Sequence, residues 1–184
     1  LTNARANIEK ILADGVRLGK VSEEKAQCSL AYLQTCSDLS EAASGANWLV
    51  ETVSEQLAVK KAVLAQAAPL LAPDAIIATN TSALSVTEIA ASVACADRVI
   101  GMHFFNPVHK MKLVELVRGL ATSDEVVART RTLCDQIGKT SIIVNESPGL
   151  TTSRMSALLG NEAMWMLQEG TATAEDIDTA LRLG

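Results

Sequence analysis

Aromatic residues and histidines are scarce in this sequence, and long apolar runs are missing. Five aromatics (Tyr32, Trp48, Phe104, Phe105 and Trp165) in 184 residues, with 16 Lys+Arg against 21 Asp+Glu, provide neither stacking platforms nor a basic field. Nucleic acid is therefore not expected as a partner. The longest apolar stretches, such as Ala67-Ala-Pro-Leu-Leu-Ala72, fall far short of the roughly 20 residues that cross a bilayer. A soluble protein with no membrane partner is expected. Cys28, Cys36, Cys95 and Cys134 form no CxxC pair and have no histidine at ligand spacing. Free thiols in a reducing cytoplasm and no bound metal follow as expectations. Leu1 is not a start methionine, and the first residues lack the basic and apolar regions of a secretion signal, so the chain reads as an internal segment.

Against these absences, 48% of the residues are apolar and 20% charged, enough for one sizeable core and part of another. Ile8, Ile11, Leu12 and Val16 recur at helical spacing, with Gly15 and Gly19 weakening or ending that helix. Ser22 followed by Glu23 and Glu24 predicts a capped second helix leading to Leu30. Short apolar runs then alternate with helical stretches. Strands are predicted at Tyr32–Thr35, Trp48–Val53, Ala75–Thr79, Val99–His103, Leu113–Val117 and Ser141–Val144, and helices near 56–68, 86–92 and 123–137.

This alternation predicts an α/β fold, part of a doubly wound, largely parallel Rossmann-type sheet. The connection from His103 to Leu113 is too short for a helical crossover, so a local antiparallel turn is expected there. After Ser147-Pro-Gly149 the pattern becomes all-helical, with one long helix from Thr151 to Gln168 and another capped by Thr173 and Asp176. A boundary is placed between a sheet-containing part, 1–145, and the beginning of a helical domain, 146–184.

Ligands of open α/β sheets bind at the carboxyl ends of the strands. Two polar clusters fall there: Asn80-Thr81-Ser82 and His103-Phe104-Phe105-Asn106-Pro107. A hydroxyl and an imidazole from two strand ends could hold and deprotonate an alcohol. Glu115 lies in Leu113-Val-Glu-Leu-Val117, where flanking apolar residues predict burial, and a buried carboxylate requires a partner. His103 is the obvious one, with Lys112 and Arg118 as alternatives. Taken singly, an Asn-Thr-Ser run is more often turn chemistry, and a lone histidine is as often structural; the coincidence of the three carries the argument. His109, Cys95 and Cys134 read as ordinary structural positions.

Four strings follow one another in this order: Ala78-Thr-Asn-Thr-Ser82, Gly101-Met-His-Phe-Phe-Asn-Pro107, Lys112-Leu-Val-Glu-Leu-Val117 and Ser147-Pro-Gly149. Together they resemble the L-3-hydroxyacyl-CoA dehydrogenase family, particularly its short bacterial 3-hydroxybutyryl-CoA members, over essentially the whole chain. The resemblance implies NAD-dependent oxidation of the 3-hydroxyl of a short-chain acyl-CoA to a ketone, or the reverse. His103 would then act as general base, Glu115 as its support, and Ser82 as a contact to the substrate oxygen and the nicotinamide. It further implies cofactor contacts at Glu55, Lys60 and Asn106, and a homodimer formed through the helical domain. Arg17 and Lys20 are basic residues suited to the CoA portion.

Two departures from the family stand out. Where many members carry asparagine five residues after the proline of Ser-Pro-Gly, this chain has Ser153, which maps onto a catalytic position with a shorter reach. There is also no GxGxxG, so the turn that receives a dinucleotide pyrophosphate is lacking, as is the acidic ribose contact expected after it. In the family both belong to a unit that would precede Leu1. The alternative expectation is a non-catalytic, truncated piece of such a dehydrogenase, serving packing or oligomer contacts.

Overall fold

The computed structural model describes residues 2–184. Helix α1 (Thr2–Arg17) runs through Gly15, and Gly19 at φ +66° turns the chain away beyond its end. Ser22 caps α2 (Glu23–Tyr32), its hydroxyl accepting from the Lys25 N–H at 3.2 Å. The strand predicted over Tyr32–Thr35 does not form. Tyr32 closes α2 with 85% of its surface exposed, and the Leu33 carbonyl is bound by the Arg5 guanidinium at 3.1 Å instead of by a strand. A β-favouring sequence becomes a strand only where a neighbouring strand pairs with it, and among the described residues no strand pairs with 32–35. Asp38 caps a short helix, α3 (Leu39–Ala43), that the sequence reading missed.

The sheet contains β1 (Trp48–Glu51), β2 (Ile76–Thr79), β3 (Val99–Phe104), β4 (Leu113–Arg118) and β5 (Thr140–Asn145), in the spatial order of the sequence. All neighbours are parallel except β3 and β4, which run antiparallel as the short connection predicted. Three helices follow strands: α4 (Leu57–Ala67), α5 (Val86–Ala90) and α6 (Asp124–Gln136). Reversal at β4 decides where α6 lies. With right-handed crossovers and the same sideways progression, a reversed strand sends its helix to the opposite face. One core accordingly joins Leu64, Ile77, Val86, Ile89, Val99 and Val117 under α4 and α5. The other joins Ile76, Ile100, Met102, Leu116, Val126 and Cys134 under α6.

Gly101 allows α5 to approach the sheet. A Cβ there would stand 2.8 Å from Val117 Cβ on the paired strand and 3.0 Å from Val86 Cγ2 on α5. After Asn145 the described residues contain no strand, only α7 (Thr152–Gln168) and α8 (Ala174–Leu183), the latter capped by Thr173 as its sequence predicts. No helix among the described residues is long and apolar enough to cross a membrane.

Candidate active site

His103 ends the buried part of β3 and lies in register with Glu115 on β4, so the two side chains leave the same face of adjacent strands. Glu115 is fully buried, and its Oε2 lies 2.7 Å from His103 Nδ1. Neither alternative cation holds it: Arg118 pairs with Asp124 at 2.7 Å, and Lys112 makes no bond to it among the described residues. Glu115 also accepts N–H bonds from Thr151 (3.2 Å) and Thr152 (3.0 Å) at the head of α7. A carboxylate on Nδ1 places the neutral ring's proton there, leaving Nε2 as an acceptor. Nε2 faces the Ser82 hydroxyl at 3.0 Å. The Phe105 ring, centroid 4.6 Å from the imidazole, packs beside it.

The loop carrying Ser82 is fixed from below. Lys60 of α4 is fully buried, and its Nζ contacts both oxygens of Glu51 (3.1 and 3.2 Å), the Asn80 carbonyl (2.9 Å) and Glu55 Oε2 (3.4 Å). Glu51 completes its bonds with the Thr79 hydroxyl and the Val53 N–H, both at 2.6 Å. Glu55 Oε1 accepts from the Thr81 hydroxyl and from the N–H groups of Ser82 (2.9 Å) and Ala83 (3.3 Å). Partial burial by itself would raise the Glu55 pKa. The Thr81 and backbone hydrogen bonds, with the Lys60 charge, outweigh it and hold the carboxyl below its ordinary range. Asn80 Oδ1 accepts the Phe104 N–H at 2.9 Å, tying the ends of β2 and β3 together.

Hydroxyl, imidazole and carboxylate in line also have the order of a nucleophilic triad. Such an enzyme aims backbone N–H groups at an oxyanion beside its serine. Here those of Ser82 and Ala83 point at the Glu55 carboxylate, whose charge opposes an oxyanion. The arrangement suits holding and deprotonating an alcohol, not acyl transfer.

Residues 1–147 match the 3-hydroxyacyl-CoA dehydrogenase NAD binding domain, and residues 149–184 the 3-hydroxyacyl-CoA dehydrogenase C-terminal domain. The chain belongs to the 3-hydroxyacyl-CoA dehydrogenase family. A probable 3-hydroxybutyryl-CoA dehydrogenase of Bacillus subtilis is 38% identical over 96% of this chain, which spans 61% of that protein. The 3-hydroxyadipyl-CoA dehydrogenase of Escherichia coli is 40% identical over 100% of this chain, which spans 38% of it. The crystal structure of (S)-3-hydroxybutyryl-CoA dehydrogenase from Ralstonia eutropha superimposes with a TM-score of 0.94 at 36% identity, covering 100% of this chain and 65% of that one.

Of the residues that the family resemblance assigns, Ser82, His103 and Glu115 meet in one line, with Glu55 in contact with the Ser82 backbone. Asn106 does not join them. It is exposed in the β3–β4 loop, in a groove lined also by Ile8, Ile11 and Lys139. Ser153 is half-buried in the first turn of α7, one position past the threonine that touches Glu115. Lys60 is enclosed, so its ammonium acts on Glu51, Glu55 and Asn80. Sequence reading missed Glu51. Its signal was a carboxylate closing the apolar run Trp48-Leu-Val-Glu51, the same reasoning that found Glu115.

Proposed function

We propose that the protein is an NAD-dependent dehydrogenase of short-chain 3-hydroxyacyl-CoA, with residues 1–145 as the cofactor-binding part and 146–184 as the beginning of a helical domain. The observation that carries this reading is the line from Ser82 Oγ through the His103 ring to Glu115, at the carboxyl ends of β2 and β3. The residues present fit the nicotinamide end of NAD: the exposed Ser82 hydroxyl and the Glu55 carboxylate stand beyond parallel strand ends, where such ligands bind. When bound, NAD supplies the acceptor for the hydride that leaves C3.

In this reaction the Ser82 hydroxyl holds the substrate's 3-oxygen against His103. Nε2 takes the hydroxyl proton as the C3 hydride departs, and the O–H electron pair becomes the second bond of the new carbonyl. The ring is then a cation, and Glu115 on Nδ1 stabilises it. Reduction runs the same transfers backwards.

The CoA portion is assigned to Arg17 and Lys20. With His109, Lys110 and Asp14 they border a cavity of about 510 Å³ between α1 and the β3–β4 loop, where Asp14 pairs with Arg17 at 2.9 Å and Lys20 and Lys110 are the cations left for phosphates. A second copy of the chain is the proposed partner of the helical part. Leu159 and Leu181, 56% and 58% exposed, border one apolar groove there with Met166, an exposed apolar patch of the kind that marks an interface. All four cysteines are free, the state that a reducing cytoplasm maintains.

The decisive experiment follows NADH absorbance with acetoacetyl-CoA while recording the protein's intact mass. Consumption that disappears in His103→Gln supports the reading. A mass close to 19.4 kDa with NADH untouched favours the non-catalytic piece instead.

A further inference from the structure

We infer that the first turn of α7 belongs to the proton-handling apparatus, with Thr152 as a positioning residue for the His103–Glu115 pair; this rests on the dehydrogenase reading above. Ser22, Asp38, Ser85, Ser123 and Thr173 each cap the helix they precede. Thr151, in that position for α7, makes no side-chain cap. The acceptor is borrowed from β4. Glu115 Oε1 takes the Thr151 and Thr152 N–H groups, and its Oε2 takes the Thr152 hydroxyl at 3.3 Å beside His103 Nδ1 at 2.7 Å. Three of these four bonds therefore come from beyond Pro148, and only one from the histidine's own strand.

The chain is bent to make this possible. Gly149 and Leu150 both adopt left-handed conformations, at φ 76° and 50°, and a leucine seldom does so. Leu150 is buried in the core with Val86, Ile89 and Val117, which holds the turn in place. A Cβ on Gly149 would meet Arg154 Cβ at 3.3 Å. The turn aims two N–H groups and one hydroxyl at a single carboxylate, consistent with a strained backbone serving a functional site.

The consequence is chemical. The Thr151 and Thr152 N–H groups fix Oε1, and the Thr152 hydroxyl keeps Oε2 facing Nδ1, so the carboxylate is held in place beside the ring. Other charges near His103 are engaged elsewhere. Glu55 and Lys60 act on the Ser82 loop, Glu88 of α5 lies 4.0 Å from Lys61, Glu146 binds Ser85 and Thr87, and Arg154 is exposed.

Thr152→Val removes the hydroxyl while retaining shape and backbone N–H. In the whole protein, the downfield proton resonance of His103 Nδ1–H is expected to move. Turnover is expected to fall about 3- to 10-fold, with KM for acyl-CoA and NAD unchanged. Thr152→Ser is expected to restore both, and Thr152→Ala gives the same readout should the valine variant not fold. An unmoved resonance, or a serine variant that fails to restore it, overturns the inference even if stability drops. Absence of dehydrogenase activity in the parent protein would overturn the functional reading instead, with the resonance still deciding the role of Thr152.

Discussion

At the scale of single residues, the tautomer of His103 is set by what lies on its far side. Glu115 at 2.7 Å takes the Nδ1 proton as a hydrogen bond, so only Nε2 is available to receive a proton from an alcohol. His103→Gln is expected to slow turnover by roughly 10²–10⁴-fold, with little change in NAD affinity; an unchanged rate would remove the histidine from its role. Glu55 acts differently, since its charge grips the backbone on either side of the Ser82 hydroxyl. Glu55→Gln keeps one acceptor oxygen but gives up the charge facing Lys60, so KM for NAD is expected to rise several-fold, measured by initial rates at saturating acyl-CoA. An unaltered KM would assign Glu55 to loop folding alone. His103 and Glu115 were legible because a titratable group inside an apolar run signals burial with a partner. Lys60 and Lys61 are indistinguishable in the sequence. Only the facing of α4 decides that Lys60 is enclosed against Glu51 and that Lys61 remains at the surface.

At the scale of elements, two contacts hold α5 in place. Gly101→Ala would push a methyl group into Val117 and Val86, and overpacking of this kind destabilises by about 1–3 kcal/mol, read as a lower urea midpoint. A variant as stable as the parent would show that β3 and α5 can separate freely. The second contact is Glu146, which accepts from the Ser85 hydroxyl, the Thr87 N–H at 2.8 Å and the Thr87 hydroxyl at 2.7 Å. Burial opposes its charge, but the Ser85 and Thr87 bonds prevail and lower its pKa below the ordinary 4.5. Because the folded value is the lower one, the stabilisation is complete above pH 4.5 and lost as pH falls through that lowered value. Glu146→Gln should reduce stability at neutral pH and flatten the acid limb of a stability–pH curve. A limb of unchanged slope would contradict the assignment. Caps at Ser22 and Thr173, helical spacing of apolar residues and short apolar runs between helical stretches made most helices and strands legible. Tyr32–Thr35 was misread because strand propensity does not carry information about a neighbour to pair with, and α3 was missed because five residues are too few to show a period.

At the scale of the whole molecule, the alternation of strands and helices conveyed the Rossmann-type class and the antiparallel turn. It did not convey that the head of α7 reaches back to Glu115, because no periodicity links residues that meet only after the sheet and the helices dock. The same docking leaves the outer side of α7 and α8 rich in apolar surface, where Leu159, Met166, Ile177 and Leu181 border a groove of about 330 Å³. If a second copy covers this side, as proposed, self-association removes Leu159 and Leu181 from water, and each large apolar side chain so buried contributes about 1.5–3 kcal/mol. Leu159→Glu with Leu181→Glu would place charges in that interface without touching Ser82, His103 or Glu115. The double variant is expected to sediment as a single copy at concentrations where the parent sediments as two, with His103 still tied to Glu115. A parent that sediments as one copy throughout would remove the homodimer from the reading and leave the line from Ser82 through His103 to Glu115 as it stands, since all three side chains come from one chain.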